Sequence, residues 1–286
     1  MRSDLAIATN GSAAVNTIKG GAVSPLRGEV ARVVTTSWDD GDPFDLEIGR
    51  VLAERKVTGT FYIPIQGHHN NGRIERAEIL TLDSGGFEIG AHGISHPNLP
   101  RCEPRQLVVE VEGSKKRLED DLGKAVKMFA YPNGRHSSRV IAAVKQARFD
   151  GARTTEMLAC GLAFDPFSMP TSIQVYPHSR LDYVRNLARA ADFSRAWGYV
   201  TRVWPGSNWV KLAMHLFDRV LARGGVWHLY GHSWEVQEHG LLNALGVVLD
   251  YVSNRPGVSY LSNGELARMS PVLSAEPLVC GEGRPL

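Results

Sequence analysis

A chain of 286 residues that is 43% hydrophobic and 22% charged has apolar material for a sizeable core and shows no bias toward disorder. Its formal net charge of +2 gives no electrostatic basis for gripping a nucleic-acid backbone. No run of about 18 apolar residues offers a membrane span, and Cys102, Cys160 and Cys280 are too scattered for a disulfide framework or a CxxC metal site.

The opening MRSDLAIATNGSAAVNTIKGG lacks an apolar core of signal-peptide length, and Asp4 interrupts it early, so a reducing cytoplasm is the expected compartment. Residues 1–27, rich in Gly, Ala and Ser, read as a flexible arm, and residues 28–286 as a single domain. From Val30 onward, short β-branched runs alternate with segments of helical period. ARVVTTSW reads as a strand, and PFDLEIGRVLAERK as its helix, with Phe44, Ile48, Val51 and Leu52 on one face. GTFYIPI is a second strand, followed by the helix ERAEILTLDSGG. FEIGAH is a third, followed by EPRQLVVEVEGSKKRLEDDLG as one long helix with Pro104 in its first turn and Gly123 closing it. VKMFAYP is the fourth strand, and SSRVIAAVKQAR its helix, with Ser137 or Ser138 as N-cap.

DGARTT and TSIQVYPH are the fifth and sixth strands. Helices over roughly 181–197 and 207–223 follow, joined by GYVTRVWPGSN. GVWHLYGHS is the seventh strand, EHGLLNALGVVLDYVSN its helix, and GVSYLSNGEL a last strand leading into a short helix. Strands alternating with helices imply parallel pairing through right-handed crossovers. The expected fold is therefore α/β, a distorted (β/α) barrel of seven to eight parallel strands.

Barrel chemistry gathers at the C-terminal ends of the strands. There the first strand delivers Asp39 and Asp40, the third His92 and His96, the fourth Tyr131 to Arg135, and the seventh His232. Two imidazoles four residues apart, joined by a carboxylate from a neighbouring strand end, make a two-histidine, one-aspartate set that leaves coordination positions open for water and a substrate oxygen.

SWDDG, HGISHP, FAYPNG and HLYGH, in this order and with GTFYIP on the second strand, resemble the successive motifs of the polysaccharide deacetylase (NodB-homology) family over roughly residues 32–265. The resemblance implies a distorted (β/α) barrel that removes N- or O-acetyl groups from sugars with one divalent ion. Zinc is the first expectation for that ion, and cobalt, nickel and manganese accept the same ligands. Carried over by position, it makes Asp39 the base, Asp40, His92 and His96 the metal ligands, and His232 the general acid. The backbone N–H of Asn133 would help bind the oxyanion, and Tyr131 would line the substrate pocket.

Departures from the motifs raise further candidates. The third motif commonly begins with an arginine that braces the base, but Ala130 stands there; Arg153 either reaches across the mouth in its place or pairs elsewhere. The fourth-motif aspartate has no clear counterpart, and QVYPHSR in that part of the chain makes His178 a pocket candidate. Trp234 and Glu235 either wall the sugar site or cap the next helix, and His228 reads as a hydrogen-bonded core histidine. His68, His69, Asn70 and Asn71 form a polar loop, while Asp42 and Asp45 are expected to favour the positive end of the first helix.

The expected function is metal-dependent removal of an N-acetyl group from an amino sugar, in a small saccharide or sugar conjugate, without nucleic acid or membrane insertion. Its rivals are a deformylase or a hydrolase of another linear or cyclic amide. A non-catalytic saccharide binder would need neither Asp39 nor His232.

Overall fold

In the computed structural model, which describes residues 31–67, 72–190 and 208–275, the architecture grows outward from one strand. The N-terminal arm, the polar loop from His68 to Asn71, Cys280 and most of GYVTRVWPGSN lie outside the described residues. β1 (Arg32–Asp39) is buried from Val33 onward, and its alternating side chains serve two layers. Val34 and Trp38 join the large apolar cluster formed with the surrounding helices. Val33, of opposite parity, joins a smaller cluster with Met128, Met169, Val226 and Leu266. Thr35, Ser37 and Asp39 share that parity and line the interior.

The other strands are β2 (Thr60–Ile63), β3 (Glu88–Ala91), β4 (Met128–Ala130), β5 (Gly151–Arg153), β6 (Ile173–Gln174), β7 (Gly225–His232) and β8 (Ser259–Tyr260). They lie in the order β5-β4-β3-β2-β1-β7-β6, with β8 also on β1, and every pairing is parallel. Ahead of β6, Met169 makes an isolated parallel bridge to Arg153, and Ser172 N–H donates to the His228 carbonyl at 2.8 Å. That segment stitches β5 to β7 and bends the row into a ring. The distorted (β/α) barrel expected from the alternation is the observed fold.

The helices are α1 (Asp45–Glu54), α2 (Arg76–Ser84), α3 (Pro104–Val108), α4 (Ser114–Leu122), α5 (Ser138–Gln146), α6 (Arg180–Ala190), α7 (Trp209–Arg223), α8 (Ser233–Glu238), α9 (Leu242–Val252) and α10 (Asn263–Ala275). A capping box between Glu75 and Glu78 starts α2, and Ser137 rather than Ser138 caps α5 by accepting from the Val140 N–H. One expected helix is divided: the one after β3 contains a π turn, Val109–Gly113, between α3 and α4. The helix expected from Glu238 onward starts later, as α9 at Leu242, and the short α8 precedes it, with Gly240 between them at a left-handed φ of 61°. Among the described residues, no helix is long and apolar enough to cross a membrane.

Polar groups fill the lower barrel in mutually satisfied sets, as burial requires. Asn263, just past β8, donates from Nδ2 to Thr35 Oγ1 at 2.8 Å and accepts from the Tyr62 hydroxyl at 2.8 Å. Glu88 accepts from the Thr60 hydroxyl at 2.7 Å and from Gly264 N–H at 2.8 Å. His228 contacts the Pro170 carbonyl through Nδ1 at 3.0 Å. A carbonyl only accepts, so Nδ1 carries the proton and Nε2 accepts from the Ser37 hydroxyl at 2.9 Å. Burial, reinforced by the Arg153 charge, lowers the His228 pKa to about 3, so the ring is neutral.

Gly90 is a tight inward position on β3, because a Cβ there would lie 2.4 Å from Tyr62 Cδ1. Tyr62 is fully buried and tethered through its hydroxyl, so it has little room to move. Gly90→Ala is expected to lower unfolding stability by about 1–3 kcal/mol, an overpacking effect measurable by urea denaturation.

Candidate active site

The register of β1 begins the site. Asp39 lies beside His232 of β7 on one side and Tyr62 of β2 on the other, so pairing alone brings a carboxylate and an imidazole together. The chain then turns sharply, with Asp40 at φ 78° and Gly41 at φ 61°. Left-handed backbone is uncommon outside glycine, although aspartate tolerates it better than most residues. After β3, Gly93 at φ 82° and His96 at φ 53° curl the loop so that His96 returns toward His92. The two rings meet nearly edge to face, with centroids 4.7 Å apart.

Asp40, His92 and His96 each offer one ligand atom within 4.8 Å of the others. Asp40 Oδ1 lies 3.7 Å from His92 Nε2 and 3.5 Å from His96 Nε2. These spacings are too wide for good hydrogen bonds, and Oδ1 is buried without a hydrogen-bond partner. An orphaned carboxylate oxygen facing two imidazole nitrogens fits a divalent cation. His92 Nδ1 lies 2.8 Å from the Ala130 carbonyl, which fixes the proton on Nδ1 and leaves the Nε2 lone pair toward Asp40. Burial also lowers the His92 pKa, favouring the neutral ring that ligation needs.

Trp234, expected either to wall the sugar site or to cap the next helix, has its indole N–H directed at Asp40 Oδ2, 3.1 Å away. It occupies one carboxylate oxygen and leaves Oδ1 toward the histidines, so its observed polar contact is with the ligand set.

Arg153 reaches Asp39. Fully buried, it donates from Nη2 to Asp39 Oδ1, and its guanidinium carbon lies 5.3 Å from the ring centroids of both Tyr62 and Tyr230. Ala130, where the motif arginine is missing, pairs in register with Arg153, so the arginine comes from the adjacent strand at the same level. Burial would raise the Asp39 pKa, but the Arg153 charge, helped by His92 and His232, holds it below the ordinary value.

His232 Nε2 lies 4.0 Å from Asp39 Oδ2 and 3.9 Å from Asp40 Oδ2. Its Nδ1 donates to Glu235 Oε2 at 2.7 Å, and the same oxygen accepts from Gln174 Nε2 at 2.9 Å. Gln174 Oε1 in turn accepts from the Tyr230 hydroxyl at 2.6 Å and contacts His178 Nε2 at 2.7 Å. Burial opposes charge on His232, but the Glu235 hydrogen bond and the nearby carboxylates push its pKa up to about 9. Glu235 and Gln174 are the polar partners that motif reading missed. The available signal was the three-residue step from His232 to Glu235 across the start of a helix, which brings the two side chains to one face.

The remaining candidates are placed differently. His178 is half-buried, hydrogen-bonds Gln174 and packs beside Tyr176 and Tyr183, and burial lowers its pKa. Tyr131 is fully buried, with its hydroxyl donating to the Phe167 carbonyl at 2.9 Å and its ring stacked on His136; it does not reach open space as a pocket lining would. Asn133 is exposed in the turn Pro132–Gly134 at φ 56°. Asp42 accepts from Phe44 N–H at 2.8 Å, close to the start of α1. Asp45 is fully buried at the start of α1, and burial, joined by the neighbouring carboxylates and opposed by a Ser233 hydrogen bond, raises its pKa well above the ordinary value, which disfavours the charge that would suit the helix dipole.

The family model described as polysaccharide deacetylase matches residues 27–152. Among curated proteins, the uncharacterised YlxY of Bacillus subtilis (strain 168) is 26% identical over 130 residues, 45% of this chain and 38% of its own length. The chain therefore spans well under half of that relative. A Mycobacterium smegmatis structure assigned as a polysaccharide deacetylase has a TM-score of 0.63 at 16% identity, over 93% of this chain and 99% of that one. The Xyl-CE4 domain of a multidomain xylanase from the hindgut metagenome of Trinervitermes trinervoides gives 0.54 at 14%, over 84% and 92%. A family 4 acetyl xylan esterase from Clostridium thermocellum, in complex with cobalt, gives 0.50 at 17%, over 83% and 91%. At these identities the likeness is one of fold.

Losing Arg153 would leave Asp39 buried without its counter-charge. Arg153→Met is expected to destabilise the fold by about 3 kcal/mol. Adding Asp39→Asn should make the double variant less unstable than the sum of the two single ones, measured as a double-mutant cycle by urea denaturation.

Proposed function

Taking as premise that this chain belongs to the polysaccharide deacetylase family, whose signature spans residues 27–152, we propose that it is a metal-dependent hydrolase that removes an N-acetyl group from an amino sugar. The observation that carries the reading is the convergence of Asp40, His92 and His96 beside an Asp39–His232 pair. A saccharide binder has no need of a carboxylate and an imidazole poised next to a ligand set.

A divalent ion held by Asp40, His92 and His96, with zinc the first choice for this donor set, would polarise the amide carbonyl and acidify water. Asp39, kept ionised by Arg153, takes the proton from the attacking water. The backbone N–H of Asn133 is assigned to the developing oxyanion. His232, oriented by Glu235 through Nδ1, gives its Nε2 proton to the departing nitrogen. The hydroxyl of the water stays on the acetyl carbon and the C–N bond breaks, giving acetic acid, which ionises, and the free amine, while Asp39 passes the proton it took to His232 for the next turnover. The same groups would cleave a formamide, so the substrate screen covers N-acetylated and N-formylated amino sugars, free and nucleotide-linked, with released acetate or formate measured.

Purified protein is expected to bind about one divalent ion per chain, and His92→Ala to lose it, both read by elemental analysis. Asp39→Asn should retain the ion and lose about 10²- to 10⁴-fold in turnover; full activity in that variant would rule out the mechanism. Because His232 acts as an acid, activity falls as pH rises through its pKa. Glu235→Gln removes the anionic partner that raises this pKa, so the alkaline limb of the rate profile should move toward lower pH by about 1 unit.

A further inference from the structure

The loop that bears both histidines is tied along two sides, and one tie comes from outside the motifs. On one side, Ile65 N–H donates to the Gly93 carbonyl at 3.1 Å and Gln66 N–H to the Ile94 carbonyl at 2.8 Å. On the other, the loop's own donors converge on one carboxylate. Glu110 Oε2 accepts from Ile94 N–H at 2.7 Å and Ser95 N–H at 3.0 Å, while Oε1 accepts from the Ser95 hydroxyl at 2.6 Å.

Glu110 is 5% exposed and belongs to the π turn Val109–Gly113. The same turn meets the loop a second time, since a Cβ on Gly113 would lie 2.8 Å from Ile94 Cδ1. Gly93 completes the fit, as its Cβ would lie 3.2 Å from Glu110 Oε2. A π turn shifts the helical register locally, and here it directs Glu110 to the loop and brings the backbone at Gly113 against Ile94. His96 is held at φ 53°, a conformation that persists only when its surroundings enforce it.

We infer that Glu110 is a positioning residue for the metal centre: it sets cation affinity through the loop without touching the cation. This rests on the metal-dependent reading above. The bonds matter more than the charge. A glutamine could present its oxygen to the two backbone N–H groups and its amide N–H₂ to the Ser95 oxygen, whereas an alanine loses all three contacts.

The test is Zn²⁺ affinity, measured by competition with a chromophoric chelator on wild type, Glu110→Ala, Glu110→Gln and Ser95→Ala. Metal-free circular dichroism checks that each variant is folded. Glu110→Ala should bind about 10- to 100-fold more weakly, and Glu110→Gln within about threefold of wild type. A folded Glu110→Ala with wild-type affinity overturns the inference, and so does a Glu110→Gln as weak as the alanine. If Glu110→Ala does not fold, Ser95→Ala decides: weaker binding supports the inference, and unchanged binding overturns it. A wild-type chain that takes up no Zn²⁺ sinks the metal-dependent reading and the inference with it, whereas normal wild-type binding beside an unaffected Glu110→Ala sinks the inference alone.

Discussion

A guanidinium shut away from water inside a barrel is tolerable only with a partner, and the contact between Arg153 and Asp39 is the interaction the upper barrel is arranged around. Gly90 and Ala130 keep the inward positions of β3 and β4 small, while Tyr62 and Tyr230 present ring faces to the charge. The pair also separates the two adjacent aspartates electrically. Asp39 has a permanent cation of its own, so its neighbour can face the histidines.

The polarity of the barrel changes with height. At the bottom, Asn263 and Glu88 close a net of neutral or singly shared hydrogen bonds among Thr35, Thr60 and Tyr62. Midway, a neutral His228 is fixed between Ser37 and a carbonyl. At the top, charges accumulate on Asp39, Asp40, Arg153 and His232, while burial pushes the pKa of Asp45 upward and disfavours a further charge there. Reactive groups thus stand on a rigid, satisfied base, as a preorganised site requires.

Much of this was legible in the sequence because strand and helix periods differ so clearly. The alternation of elements gave the barrel, and the rule that strand ends share one face gathered Asp39, Asp40, His92, His96 and His232. What escaped depends on relations between strands or on the exact turn of a helix. Ala130 and Arg153 lie 23 positions apart, and only the β4–β5 register makes them neighbours. Glu235 looked like a helix cap because its pairing with His232 needs α8 to begin at Ser233. The π turn has no periodic signature of its own, since one extra residue leaves the apolar pattern of Leu107, Val111 and Leu118 intact. The resemblance alone gives Tyr131 to the pocket lining, and the direction of its hydroxyl, toward the Phe167 carbonyl, is a tertiary contact that no motif carries.

The carboxamide of Gln174 has a consequence for how protons are arranged around His232. An amide has one end that only donates and one that only accepts. Its donor end meets Glu235, which confirms that oxygen as an acceptor, and its acceptor end obliges both the Tyr230 hydroxyl and His178 Nε2 to point their hydrogens toward it. Every hydrogen in the chain from His178 to His232 then has one allowed orientation, and a proton leaving His232 Nδ1 could travel no further than Glu235. Exchange with the open side of the site is left to Nε2. A single uncharged side chain thereby acts as a polariser, giving the wiring behind His232 a direction.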